Sequence, residues 1–146
     1  MRGTTPMAYD TNNVFAKILR GELPAHKVHE DAEALALMDI MPRTEGHVLV
    51  IPKGPARNLL DASPSQLAAC MRTAQKVAAA AVKAFGADGV TLLQASEPAG
   101  GQVVFHLHFH VMPRWEGKSL GPAASKMEKP EVLAANAEKI RKALQA

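Results

Sequence analysis

Cysteine is nearly absent: Cys70 is the single one in 146 residues, which excludes an intramolecular disulfide and a cysteine-built zinc site. Aromatic residues make up only 4%, so a core must be assembled from Ala, Val, Leu, Ile and Met. No apolar run reaches the roughly 18 residues of a membrane span, so no membrane partner is expected. Met1 to Asp10 lack the apolar centre of a signal peptide. A reduced compartment, the cytoplasm, is the expectation. Neither sign of charge dominates, since 17 Lys and Arg stand against 14 Asp and Glu, leaving +3. That excess suits a phosphorylated ligand and is too weak to argue for nucleic acid. What remains is an ordinary globular composition, 47% hydrophobic and 21% charged, at a length that suits one domain.

The chain shows no internal repeat and no low-complexity linker. Asn12 or Asn13 can cap a short helix that runs to Arg20, with Gly21 ending it. Val28 opens an extended stretch, and Ala34 to Ile40 reads as a buried strand. Met41 to Gly46 is a turn. His47 to Ile51 is β-branched and strand-like, closed by Pro52. The long central helix has the clearest signals. Ser63 is its N-cap, Pro64 its first residue, and Gly86 follows its last apolar residue. Leu67, Met71, Ala74, Ala78, Ala81 and Phe85 mark its expected apolar face. Val90 to Gln94 and Val103 to Met112 read as two strands joined as a hairpin by the loop Ala95 to Gln102, with Pro113 ending the second. A last helix spans Pro130 to Leu144. Strands and helices do not alternate strictly, which points to an α+β fold with an antiparallel sheet.

The chemistry concentrates in one stretch, His106-Leu107-His108-Phe109-His110-Val111-Met112. Alternation along a strand puts His106, His108 and His110 on one face, with Phe105, Leu107, Phe109 and Val111 against the core. A row of imidazoles is costly to bury dry, so that face should be a wet cleft or a ligand site. Metal binding is one reading, but same-face residues lie roughly 6.6 Å apart along a strand and the outer pair roughly 13 Å. Three rings from one straight strand could hardly converge on an ion, although His47 offers a further ligand. The other reading is nucleophilic and acid–base chemistry on phosphate. A neutral imidazole can accept a phosphoryl or nucleotidyl group and pass it to water, while its neighbours hydrogen-bond the phosphate oxygens. Gly100-Gly101-Gln102 adds a backbone that an anion can approach closely.

The run His106 to Met112 resembles the His-φ-His-φ-His-φ-φ signature of the histidine triad (HIT) family, in its bacterial nucleotide-hydrolase branch. Phe15 to Ala25, Met38-Asp39-Ile40, Gly46 to Lys53, Gly101 to His106 and Pro113-Arg114 are similar to further family blocks in the same order. The likeness covers residues 12–116. It implies an α+β domain: a five-stranded antiparallel sheet with a short N-terminal helix, a long central helix and a C-terminal helix, the sheet continuing across a homodimer. Residues 1–11 would be a flexible tail, 12–116 the domain, and 117–146 an extension whose helix packs on the domain or the dimer.

The resemblance also implies a function. Family members bind nucleotides and cleave bonds at the α-phosphate of nucleoside phosphoramidates or dinucleoside polyphosphates. By motif position His108 is the nucleophile that forms a nucleotidyl-histidine. His110 hydrogen-bonds the phosphate region, His106 positions His108 partly through its carbonyl, and His47 is a fourth histidine at the site. Asp39 takes the ribose hydroxyls of a purine nucleoside monophosphate moiety. Ile40, Phe15 and Ile18 lie near the base, and Gly101, Gln102 and Val103 near the phosphate. No cofactor or metal is implied for this chemistry. Some relatives hold a structural zinc where this chain has Asn13, Ala16 and Pro55, so that zinc is not expected. Ala95 and Val103 replace residues that often bring an amide and a hydroxyl to the phosphate. That departure keeps open a nucleotide-binding regulatory protein with little turnover; a metal-dependent hydrolase using the histidine row is the third reading.

Overall fold

The computed structural model describes residues 9–123 and 126–146; the expected tail lies, as far as residue 8, outside them. Among the described residues five strands form one antiparallel sheet: β1 (Lys27–Glu30), β2 (Ala34–Met38), β3 (Val48–Pro52), β4 (Gly89–Leu93) and β5 (Phe109–Arg114). Their order is β1-β2-β3-β5-β4. Every residue of β2 and β3 is buried, which is why both read as continuous apolar runs rather than alternating ones. The period of two still sorts their side chains. Ala36, Met38, Val48 and Val50 face one core cluster, and Leu35, Leu37, Leu49 and Ile51 face another.

The first cluster is covered by α2 (Pro64–Phe85) and by α4 (Pro130–Gln145), which packs on α2 and β1. Helix α2 starts where its chemistry predicts: Ser63 and Gln66 form a reciprocal capping box, Pro64 opens the first turn, and Gly86 closes the helix in the left-handed region at φ +60°. Its buried face is Cys70, Thr73, Ala74, Val77, Ala80 and Ala81. The expected face is thus shifted by a residue. Met71 is 36% exposed while Thr73 is buried, because the small side chains let α2 sit close to the sheet. The second cluster is covered by α1 (Val14–Leu19), which contributes Phe15 and Ile18. Asn13 caps it by accepting the Ala16 N–H at 2.9 Å.

The last strand differs most from expectation. It begins at Phe109, not Val103, and it carries Pro113 inside it. Residues 103–108 leave the ladder because their polar groups are taken elsewhere: the Leu107 N–H donates to Ala56 O, and Val104 O accepts from the Gln102 side chain. Pro113 is tolerated because β3 pairs with β5 only as far as Val111, so the strand is one-sided there. The connection from β4 to β5 is likewise not a plain hairpin loop. It contains the one-turn helix α3 (Glu97–Gly100).

Candidate active site

The site grows from the face of β5 opposite α2. Leu49 of β3 is registered against His110, so His110 projects on the same side as Phe15 and Ile18. The loop from β2 to β3 brings in the rest. Gly46, at φ +80°, packs so near Phe85 that a Cβ would fall 2.5 Å from the ring, and the next residue, His47, enters β3 fully buried. The Asp39 N–H donates to His47 O at 3.0 Å, which pins the two ends of the loop. Asp39 Oδ1 accepts the Met41 N–H, and its Oδ2 stands 3.5 Å from His47 Nε2 and 4.0 Å from His110 Nδ1.

The rings form a chain of contacts. Phe15 meets His108 edge-on at 5.0 Å and His106 at 6.3 Å; His108 meets His110 at 5.0 Å, and His110 meets His47 at 5.1 Å. The structure therefore brings together His47, His106, His108, His110, Asp39 and Phe15. Only His110 lies in a strand; His106 and His108 sit on its approach. Burial holds all four imidazoles below their usual range. His47 falls to about 3, through burial first and then the charges of His110, Arg43 and His108. His110 falls to about 4, through burial and then His108 and Arg43. Burial also lowers His106 and His108, against the opposing effect of a carbonyl partner on each. The rings are neutral at pH 7. Burial raises the Asp39 carboxyl, against the Met41 hydrogen bond.

Neutral rings make the tautomers readable, because each chain of bonds ends on a group with a single role. Pro52 O only accepts, so His106 Nε2 bears the proton at 2.9 Å. His106 Nδ1 then accepts from the Tyr9 hydroxyl. His106 O only accepts, so His108 Nδ1 bears the proton at 2.7 Å, and His108 Nε2 is left with a free lone pair. The Arg43 backbone N–H only donates, so His47 Nδ1 is bare at 3.1 Å. His47 Nε2–H therefore donates to His110 Nδ1 at 2.9 Å, and His110 carries its proton on Nε2. Two adjacent rings thus have opposite polarity: a base at His108 and a donor at His110.

The same reasoning tests metal binding. Single ligand atoms of Asp39, His47 and His110 lie within 4.8 Å of one another, a spacing that one ion could span. Yet the His47 nitrogen in that trio carries a proton, and moving it to Nδ1 would set N–H against the Arg43 N–H. The trio does not offer three lone pairs, so it does not fit a metal centre. The positions of the relatives' structural zinc do not fit either. Asn13 is spent on capping α1, and Ala16 and Pro55 have no donor side chain.

The remaining expected residues separate. Ile18 belongs to the core behind the site. Ile40 is 46% exposed beside Asp39, and Val103 is 78% exposed. Gly101 closes α3 in the left-handed region at φ +97°. Gln102 is buried. Its amide donates to Arg57 O and Val104 O and accepts from Asn58 Nδ2 and the Glu97 N–H, so its side chain is spent on framing the loop. Glu97, itself at φ +66°, is held by two bonds from Arg57 and one from Asn58. Arg57 also lies over the Phe105 ring at 4.2 Å. Sequence reasoning missed Arg57, Asn58 and Glu97, as well as Tyr9 and Arg43. The one local sign is the polar Arg57-Asn58 pair set between Ala56 and Leu59.

Comparisons with known proteins identify the family and the fold. A family profile described as the HIT domain matches residues 20–117. Adenylylsulfatase HINT3 of Arabidopsis thaliana is 39% identical over 122 residues, 80% of this chain; the chain spans 62% of that protein's length. An uncharacterized 13.2 kDa HIT-like protein of Azospirillum brasilense is 42% identical over 122 residues, covering 81% of this chain and 96% of the relative. Among solved structures, a Hit-like protein from Bartonella henselae, described as involved in cell-cycle regulation and holding an unknown ligand, superposes with a TM-score of 0.90 at 50% identity, over 94% of this chain and 99% of that one. A zinc-bound histidine triad family protein from Mycobacterium smegmatis gives 0.82 at 35% identity, over 92% and 94%.

Proposed function

The chain belongs to the HIT family, and from that premise we propose that it is a nucleotide hydrolase acting at the α-phosphate through a nucleotidyl-histidine. The observation that carries the reading is the opposed polarity of His108 and His110. The His108 Nε2 lone pair attacks phosphorus, an N–P bond forms, and the bond to the leaving group breaks as that group takes a proton from water. Water then attacks the same phosphorus, the N–P bond breaks, and a nucleoside monophosphate leaves. The His106 carbonyl holds the His108 Nδ1 proton throughout and stabilises the ring as it gains positive character. His110 Nε2–H hydrogen-bonds a phosphoryl oxygen as charge builds there. Asp39 Oδ2, free of backbone donors, accepts the ribose hydroxyls of a purine nucleotide, with Ile40 and Phe15 near the base and Gly101 and Val103 at the phosphate loop.

The substrate class covers nucleoside phosphoramidates and dinucleoside polyphosphates, and the plant relative's name adds adenylyl sulfate. The protein works as a homodimer in which the sheet continues from one protomer to the next. Support comes from β4: among the described residues it pairs only with β5, and Val90, Leu92 and Leu93 are exposed along it. Residues 12–116 form the domain, and 117–146 the extension packed on it. The expected site of action is the cytoplasm.

The test is His108→Ala, assayed by AMP release from adenosine phosphoramidate. Turnover should fall at least about a thousandfold, as for removal of a covalent nucleophile, while AMP still binds. Retained turnover would sink the covalent step. Exposed Val103, which lacks a hydroxyl, favours the second reading, a nucleotide-binding regulator. In that case the unmodified protein would bind AMP and turn over almost nothing.

A further inference from the structure

Arg43 joins two parts of the chain that the proposed chemistry treats as unrelated. Its N–H sets the bare nitrogen of His47. Its carbonyl accepts the Gly121 N–H at 2.8 Å, and its Nε–H donates to Gly121 O at 2.9 Å. Further along, the Glu128 N–H donates to Ile40 O at 2.8 Å. The segment after β5 therefore crosses back as a strap over the loop that carries Asp39 and Ile40. The fit at its tightest point is close, for a Cβ on Gly121 would stand 3.2 Å from Arg43 O.

We infer that Arg43, held by this strap at Gly121, is a positioning residue that decides which nitrogen bears the proton in both His47 and His110. The polarity can run only one way while the Arg43 N–H faces His47 Nδ1. If the loop moves by about an ångström, that bond is lost, and His47 is free to carry its proton on Nδ1. Its Nε2 then presents a lone pair to His110, so His110 must protonate Nδ1 and bare its own Nε2. The ring that donates to a phosphoryl oxygen becomes one that repels it. One main-chain N–H thus controls a donor two rings away, and the C-terminal strap controls the N–H. The catalytic consequence rests on the proposed hydrolase; the tautomer claim does not.

The experiment uses the full chain labelled with 15N in histidine and free of ligand, read by long-range proton–nitrogen spectra. The unmodified protein should show His47 and His110 each as a single Nε2–H tautomer. Arg43→Ala removes the Nε bond to Gly121, and Gly121→Val forces the strap away from Arg43 O. Both should mix the His47 tautomers, with His110 following, and both should lower kcat about tenfold, part of an acid–base contribution. Arg43→Lys, which keeps a donor for the Gly121 carbonyl, should restore the single tautomer and stay within about twofold in kcat. Unmixed tautomers in a folded Arg43→Ala protein overturn the inference, as does mixing at His47 that His110 does not follow. Should Gly121→Val fail to fold, Arg43→Ala and Arg43→Lys decide alone. Absence of turnover in the unmodified protein overturns the proposed hydrolase instead, and the nitrogen signals still decide the role of Arg43.

Discussion

On one side of β5, Phe109 and Val111 meet a 22-residue helix lined with Ala, Val and Cys. On the other side the approach to β5 meets a six-residue helix whose Phe15 touches His106 and His108. The long helix seals its face, so side chains there contribute by excluding water. The short helix covers only part of its face, leaving His108 and His110 partly exposed. What is polar on that side must be satisfied by specific partners. Each imidazole accordingly has a named hydrogen bond, and those bonds set its chemistry. The stretch from Leu107 to Val111 thus serves as core and as site, with alternation separating the two.

Neighbouring substitutions should break that comparison cleanly. His108→Ala should remove activity and leave the melting temperature nearly unchanged, because the ring sits at a partly open face. Leu107→Ala should do the reverse. Leu107 is fully buried in the cluster under α2, and the truncation should cost about 2–5 kcal/mol of stability, as other leucine cavities do. Denaturant midpoints and AMP release, measured on both variants, test the separation. Equal stability losses would mean that the two faces are not distinct in energy.

Acid should attack the histidine side first. The folded values of about 3 for His47 and about 4 for His110 lie below the ordinary 6.5. Below about pH 6.5 the unfolded chain takes up protons that the folded one refuses. Stability is therefore complete above that pH and falls as the pH drops toward 4. Each ring contributes up to about 1.4 kcal/mol per pH unit. Urea midpoints at pH 7, 6 and 5 should decline, and His47→Asn should flatten part of the decline. A constant midpoint across that range would contradict the burial of neutral imidazoles.

The sequence showed what is local and hid what is not. Asn13, Ser63, Pro64 and Gly86 mark helix ends by their own chemistry, and the β-branched run after His47 marks β3. The histidines declared themselves by alternation and by family likeness. The start of β5 was not legible, because Leu107 takes its partner from the distant Ala56 and Val104 O is held by the Gln102 side chain instead of a strand. Nor was the Arg57–Glu97 pair, whose members stand 40 residues apart and meet where α3 begins. The tautomers were hidden because each depends on a backbone group whose position only the fold sets: Pro52 O for His106, His106 O for His108 and the Arg43 N–H for His47.

The smallest effect sharpens the comparison on the sealed side. Periodicity gave the pitch of α2 correctly but not its rotation about its axis, since Ala dominates every face and carries little contrast. Met71, one of the larger residues of the expected stripe, is instead partly exposed. Met71→Ala should therefore cost no more than about 0.5 kcal/mol. The buried neighbour gives the contrast: Cys70→Leu adds volume where nothing is free and should cost about 1–3 kcal/mol. Paired thermal melts of the two variants decide the rotation. A large loss at Met71 with none at Cys70 would turn the helix by one residue and return the expected face to the core.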